Sequence, residues 1–461
     1  MDVHINNVSF QYGKEEQTLT DINLEFKSGE CILLCGESGC GKTTVTKLVN
    51  GLIPHFEENG VLVGKTTVGD FSVADTEMYK LSECIGSVFQ NPKSQFFNTD
   101  SDSEIVFGLE NIGVEPEAIK ERFDATVSAL HIDYLLGKSI FALSGGEKQI
   151  LAFASVYAMN PSVFVLDEPT ANLDAEAINL LREKIQLAKD EGRTVIIAEH
   201  RLYFLMDLID RAVFIRAGKV ECIFSRKELL ALTEEERISY GLRSLKQPML
   251  EITEAESVSG TGLTIENLTC AYKSNTVFSN RSFSAESGAV LGIVGRNGAG
   301  KTTLTRCICG LHKEKKGRIL LEGKPLKLKQ RQKACFCVMQ DVNHQLFADS
   351  VENECLLSAP NASDAEIDEV LRAFDLLDFK QRHPMALSGG QKQRLAVATA
   401  VLSDKQVMLF DEPTSGLDFH RMIEVGEMIQ KLKTRNKIIL VVSHDFEFLN
   451  LICDTVYTLE K

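Results

Sequence analysis

The chain has 461 residues, a formal net charge of −15 and an ordinary globular composition, 44% hydrophobic and 25% charged. That length suits two domains of roughly 200–250 residues each, not a single core. The negative balance counts against a nucleic-acid-binding surface, which needs a basic stripe, and against adhesion to an anionic membrane.

The opening MDVHINNVSFQYG is polar and alternating, without the basic and apolar regions of a signal peptide. It predicts a half-buried strand. CILLC follows as a short apolar strand, and Gly36-x-x-x-x-Gly41-Lys42-Thr43, with Gly39 and Thr44 inside or beside it, leads into the helical stretch VTKLVNGL. Strand, Gly-rich turn and helix form the context of a phosphate loop. Its N–H groups and the helix N-terminus favour an anion. Lys42 would reach the β- and γ-phosphates, and the Thr43 hydroxyl would ligate Mg²⁺.

Leu143-Ser144-Gly145-Gly146 opens onto the helical EKQILAFASVYAM, a second bare helix N-terminus suited to an anion. VFVLDE then places Asp167 and Glu168 at the carboxyl end of an apolar strand, where ligands bind in open α/β sheets. Paired buried acids need a compensating cation. Mg²⁺ on Asp167 supplies it, and Glu168 is placed to polarise an attacking water. TVIIAEH reads as a further covered parallel strand.

From about 225 to 262 a helical stretch gives way to the acidic, turn-forming EITEAESVSGTG, so the first domain is expected over 1–235, a linker over 236–262 and a second domain over 263–461. The pattern then restarts. Gly295, Gly298, Gly300, Lys301, Thr302 and Thr303 repeat the phosphate loop. Ser388, Gly389 and Gly390 repeat the Ser-Gly-Gly turn, and Asp411 and Glu412 repeat the strand-end acids. Lys42 and Lys301 are 259 residues apart, whereas Ser144/Ser388, Asp167/Asp411 and His200/His444 are each 244 apart. One unit was duplicated, and the second copy lost 15 residues between its first and second motifs. Across both copies the twelve cysteines are scattered; the C-x-C pairs Cys307/Cys309 and Cys335/Cys337 lack zinc-knuckle spacing and read as reduced thiols. With no run of about 20 apolar residues, no bilayer-spanning helix is expected.

LSGGEKQ and LSGGQKQ, with the paired phosphate loops and acids, resemble the ATP-binding cassette (ABC) family over nearly the whole chain. The resemblance implies an α/β fold of two tandem P-loop nucleotide-binding domains. Each would have a mostly parallel sheet core, an N-terminal antiparallel β part and a helical subdomain. It implies an ATPase whose halves pair head to tail, with ATP between Lys42 and Ser388/Gly390 and a second ATP between Lys301 and Ser144/Gly146. Tyr12 and Tyr272 would stack on adenine. Gln90 and Gln340 would touch Mg²⁺ and sense a membrane partner, Asp174 and Asp418 would cross the dimer seam, and His200 and His444 would stand near the γ-phosphate. Both sites keep every one of these groups. Ile150 against Arg394, and Ala171-Asn172 against Ser415-Gly416, leave hydrolysis intact but put equal rates at the two sites in doubt.

More narrowly, Gln90-Asn91-Pro92-Lys93-Ser94-Gln95-Phe96, Gln340-Asp341-Val342-Asn343-His344-Gln345-Leu346 and Asn50-Gly51-Leu52-Ile53-Pro54 resemble the duplicated ATPase of energy-coupling factor importers. That likeness implies uptake of a vitamin, vitamin precursor or metal ion. It also implies a peripheral place on the cytoplasmic face of the cell membrane, without insertion. The implied partners are an integral scaffold subunit and a small membrane substrate-binding subunit, with no nucleic acid. Phe96–Phe97 and Leu346–Phe347 would line grooves for short scaffold helices. The alternatives are the ATPase of a conventional ABC transporter and a soluble tandem cassette acting on ribosomes. The short seam and the negative charge count against the latter.

Overall fold

In a computed structural model, residues 1–13, 17–57, 59–171, 173–255, 262–273 and 275–460 are described. The chain divides into two units, Met1–Gln247 and Pro248–Lys461.

In the first unit the alternating opening forms β1 (Val3–Gln11), which pairs antiparallel with β2 (Gln17–Phe26) and with β4 (Val61–Val68), itself edged by β5 (Phe71–Ser72). The continuously apolar segments form a second sheet from β3 (Cys31–Cys35), β6 (Ile85–Val88), β7 (Val163–Asp167), β8 (Thr194–Ala198) and β9 (Arg211–Arg216). Their order is β9-β3-β8-β7-β6, all parallel, and β10 (Lys219–Ser225) adds antiparallel to β9. β3 and β8 are buried at every residue, which is why they read as unbroken apolar runs. Helices Ser101–Asn111, Pro116–Leu130 and Gly145–Ala158 form the helical part, and their inward residues Ile105, Leu109, Leu130 and Phe153 join one core with β3, β7 and β8.

The second unit repeats the plan. β11 (Leu263–Tyr272), β12 (Asn275–Ala285), β14 (Lys316–Leu321) and β15 (Lys324–Pro325) form the antiparallel sheet. β13 (Val290–Val294), β16 (Cys335–Val338), β17 (Val407–Asp411), β18 (Ile438–Val442) and β19 (Thr455–Thr458) form the parallel one, in the order β16-β17-β18-β13-β19. Strand for strand this is the order of the first unit, so the phosphate loop after β13 and the acids ending β17 fall on one sheet edge, as they do after β3 and β7.

The expected linker 236–262 is divided between the units. Helix Glu234–Ser239 and the buried Arg237, Leu242 and Arg243 belong to the first. In the second, Ala255 N–H donates to Val456 O at 2.7 Å along β19. Residues 256–261 lie outside the described residues. No described helix is long and apolar enough to cross a membrane.

Candidate functional site

In each unit the phosphate loop closes tightly over the sheet edge. Gly36 has φ +140, and a Cβ there would meet Ile215 O at 2.1 Å; Gly295 has φ +152, and a Cβ would meet Leu459 O at 2.4 Å. Only glycine fits where the loop presses on the neighbouring strand end. Lys42 Nζ folds back over its loop to donate to Gly36 O (3.0 Å) and Glu37 O (2.9 Å), and Lys301 Nζ does the same to Gly295 O (2.8 Å) and Arg296 O (3.1 Å). Both ammonium groups thus lie across the concave face of the loop. Helices Lys42–Val49 and Lys301–Ile308 begin at Gly41 and Gly300, and their first turns hold no acidic residue. Cys40, inside the first loop, is turned inward and only 5% exposed.

The strand-end acids meet the loops. Thr43 Oγ1 donates to Asp167 Oδ1 at 3.2 Å. Burial pushes Asp167 up to about 6, and the charge of Glu168 adds to the rise. Burial also raises Asp411, against the pull of Lys301 and of a hydrogen bond from Thr302. Each carboxylate is desolvated beside a threonine hydroxyl, and such hydroxyl and carboxylate oxygens suit a hard divalent cation.

Glu168 takes a hydrogen bond from Gln90 Nε2 at 2.7 Å, and His200 Nε2 lies 3.4 Å from its other oxygen. Glu412 accepts from Ser443 Oγ at 3.1 Å and from His444 N–H at 3.4 Å, with His444 Nε2 3.7 Å from Oε1 and 3.1 Å from Asn297 Oδ1. Both glutamates have positive φ, 44 and 50. Their N–H groups are held by Ala198 O and Val442 O at 2.8 Å, which re-aims each side chain from the strand end to the loop.

Other expected residues stand apart from this cluster or act locally. Ser144 and Ser388 cap helices Gly145–Ala158 and Gly389–Leu402 in reciprocal boxes with Glu147 and Gln391. The first of these helix ends therefore carries an acid, paired with Lys138 at 3.0 Å, and the second a neutral amide. Gly146 is buried, while Gly145, Gly389 and Gly390 are not. Asp174 and Asp418 cap their helices through Ala177 N–H (2.9 Å) and Arg421 N–H (2.8 Å). Tyr12 stacks edge-on against Phe10 with centroids 4.7 Å apart, its hydroxyl 3.5 Å from Thr44 Oγ1, and Tyr272 leans on the His312 ring at 4.5 Å. Ile150 is core, while Arg394 is buried near Asp375 (3.6 Å) and Glu424 (3.7 Å). Asn172 lies outside the described residues.

The glutamine loops have a clasp that sequence reasoning missed. Gln95 Oε1 accepts from Phe89 N–H at 3.2 Å and Gln345 Oε1 from Met339 N–H at 3.0 Å. The buried Glu104 accepts from Phe97 N–H (3.1 Å) and Asn98 N–H (2.8 Å), and Glu354 from Phe347 N–H (2.8 Å) and Ala348 N–H (2.7 Å). Each acid lies nine residues after its second glutamine, a repeated spacing that carried the signal. The loop turns one apolar residue in and the next out: Phe96 packs on the core and Leu346 is buried, whereas Phe97 is 74% and Phe347 78% exposed.

Two phosphate loops, each closed by strand-end acids and a histidine, define a tandem nucleoside-triphosphatase. The family described as ABC transporter matches residues 19–171 and 278–415, more than half of the chain. A Treponema denticola protein named "Putative ABC transporter ATP-binding protein" is 47% identical over 99% of this chain and 95% of its own length. A Bacillus subtilis protein named "Putative HMP/thiamine import ATP-binding protein YkoD" is 33% identical over 99% of this chain and 89% of its own. A structure titled "Model of ribosome-bound archaeal Pelota and ABCE1" covers 98% of this chain and 76% of that chain, with a TM-score of 0.69 and 22% identity, a likeness of fold alone. The chain belongs to the ABC transporter family and is a duplicated ATP-binding, ATP-hydrolysing protein of that family.

Proposed function

We propose that this chain powers a membrane importer of the energy-coupling factor type, hydrolysing Mg²⁺-ATP to take up a vitamin, a vitamin precursor or a metal ion. Lys42 and Lys301 hold the β- and γ-phosphates. Thr43, Gln90 and Asp167, and Thr302, Gln340 and Asp411, hold Mg²⁺, which neutralises charge on the phosphates. Glu168 and Glu412 polarise the attacking water, and His200 and His444 contact the γ-phosphate side. Tyr12 and Tyr272 face adenine. The domains are taken as 1–235 and 263–461, and the two halves associate head to tail so that each Ser-Gly-Gly turn completes the other half's site.

The observation that carries the transport reading is the pair of exposed aromatics, Phe97 and Phe347. Each is clasped on a loop that begins at the glutamine of its ATP site. A large apolar ring held outward on a fixed loop is the expected seat for a short apolar helix of another subunit. The import named for the Bacillus subtilis relative supports the same reading. Accordingly the chain sits peripherally on the cytoplasmic face of the membrane, beside a scaffold subunit and a small substrate-binding subunit. Gentle solubilisation of native membranes, capture of the chain without ATP hydrolysis and mass spectrometry of what accompanies it test this. A polytopic scaffold with a small integral protein is expected; ribosomal proteins in their place would overturn it.

A further inference from the structure

The two ATP sites differ at the residue before the histidine, and the difference reaches the glutamate. After β8 the chain reads Ala198-Glu199-His200-Arg201; after β18 it reads Val442-Ser443-His444-Asp445. In both units a buried acid secures the threonine that follows the Asp-Glu-Pro turn, but it comes from opposite sides of the histidine.

In the second unit that acid is Asp445. It accepts from Thr414 Oγ1 at 2.8 Å and from Phe448 N–H at 3.2 Å. This leaves the preceding position to Ser443, whose hydroxyl donates to Glu412 Oε2 at 3.1 Å while accepting from Asp445 N–H at 3.1 Å. His444 N–H also points to Glu412, at 3.4 Å.

In the first unit the acid is Glu199, 3% exposed. Its oxygens accept from Thr170 N–H (3.1 Å), from the Thr170 hydroxyl, from His200 N–H (2.6 Å) and from Arg201 N–H (3.2 Å). Of the two donors that hold the glutamate in the second unit, the first unit lacks one and redirects the other, and Glu168 is held by Gln90 Nε2 at 2.7 Å. The hydroxyl is replaced by a carboxylate, and the histidine N–H is captured by it. Arg201, where the second unit has its acid, turns to Leu173 O at 3.1 Å.

We propose that Ser443 is a positioning residue for Glu412, so that the two ATP sites fix their glutamates by different donors, Ser443 in the second and Gln90 in the first, and cleave at unequal rates. A hydrogen bond that fixes a water-polarising carboxylate acts on the rate of the chemical step and not on ATP affinity. The inference rests on the reading of Glu168 and Glu412 as the water-polarising groups.

Single-turnover cleavage of bound ATP in the full chain tests it. E168Q leaves cleavage to the second site and E412Q to the first. In the E168Q chain, S443A should slow cleavage about fivefold at saturating ATP with half-saturation unchanged, and S443T should restore most of the rate. In the E412Q chain, E199S with R201D should rebuild the second unit's arrangement and raise the rate by a similar factor. An S443A chain that cleaves at the parent rate, a loss confined to half-saturation, or equal losses in S443A and S443T each overturn the proposal. Retained cleavage in the E168Q/E412Q chain overturns instead the reading of the glutamates on which it stands.

Discussion

Gln90 Nε2 donates to Glu168 Oε2 at 2.7 Å, a contact between the ends of two adjacent parallel strands, β6 and β7, whose residues are 78 positions apart in the chain. It joins the loop that carries Phe97 to the carboxylate proposed to polarise the attacking water. The proposed scaffold contact at Phe97 would have a short covalent and hydrogen-bonded route to Glu168, through Gln95 and Gln90.

That placement predicts what removal of the charge does. E168Q with E412Q keeps both side chains in shape but removes the proposed water-polarising carboxylates, so turnover should fall by about two to four orders of magnitude. ATP should stay bound in a closed chain. Nucleotide retention on a desalting column checks it, and release at the wild-type rate counts against the glutamates.

K42A with K301A removes the only side-chain ammonium groups that fold across the two loops among the described residues. Steady-state ATPase activity should drop at least about a hundredfold, as electrostatic stabilisation of the transferring phosphoryl group is lost. Activity within a few-fold of wild type would sink the assignment of both loops.

The clasp on the glutamine loops gives a local test. E104A leaves Phe97 N–H and Asn98 N–H without their carboxylate acceptor, a loss of about 1–3 kcal/mol for hydrogen bonds to a charged group. Amide exchange at Phe97 and Asn98 should speed up while exchange in β3 and β7 stays slow, and E104Q, which keeps an acceptor oxygen, should lie between. Uniform loss of protection across the unit would show that Glu104 supports the whole core instead.

F97A with F347A tests the outward rings. Phe97 stacks on Phe107 at 4.9 Å and is mostly exposed, so the melting temperature should shift by no more than about 1 kcal/mol would produce. Capture of integral membrane proteins should be lost. Unchanged capture would move the docking site elsewhere on the units.

Much of this was legible from residues alone because the phosphate loops, the Ser-Gly-Gly turns and the strand-end acids are contiguous motifs whose chemistry is local. The repeat at fixed offsets placed both copies on equivalent sheet edges. What stayed hidden was set by packing across the sheet. Nothing local says that Cys40 turns inward, so a reagent for exposed thiols has little access to the first loop in this form. Phe96 and Phe97 read as an equal pair, and only the loop's turn sends one to the core. The swap of the threonine's acid from Asp445 to Glu199 was written in the sequence as S-H-D against E-H-R, but its meaning needs Thr170 and Thr414, 29 and 31 residues away along the chain.

Asp167 gives a prediction in which stability and function oppose each other. Its folded value of about 6 lies above the ordinary 3.8. Between those values the folded chain keeps a proton that the unfolded chain has released. Without metal or nucleotide, this group's contribution to stability therefore falls as pH rises from about 4 to about 6, and a deficit of up to about 3 kcal/mol persists above that. Asp411 shifts in the same direction. In EDTA, D167N should remove the deficit and melt higher than wild type at pH 7, with the gap closing toward pH 4, while losing ATPase activity. Mg²⁺ with ATP should stabilise wild type more at pH 7 than at pH 5.5, because the ion needs the ionised carboxylate. A D167N chain whose melting follows wild type at every pH would show that the buried charge is compensated elsewhere in the site.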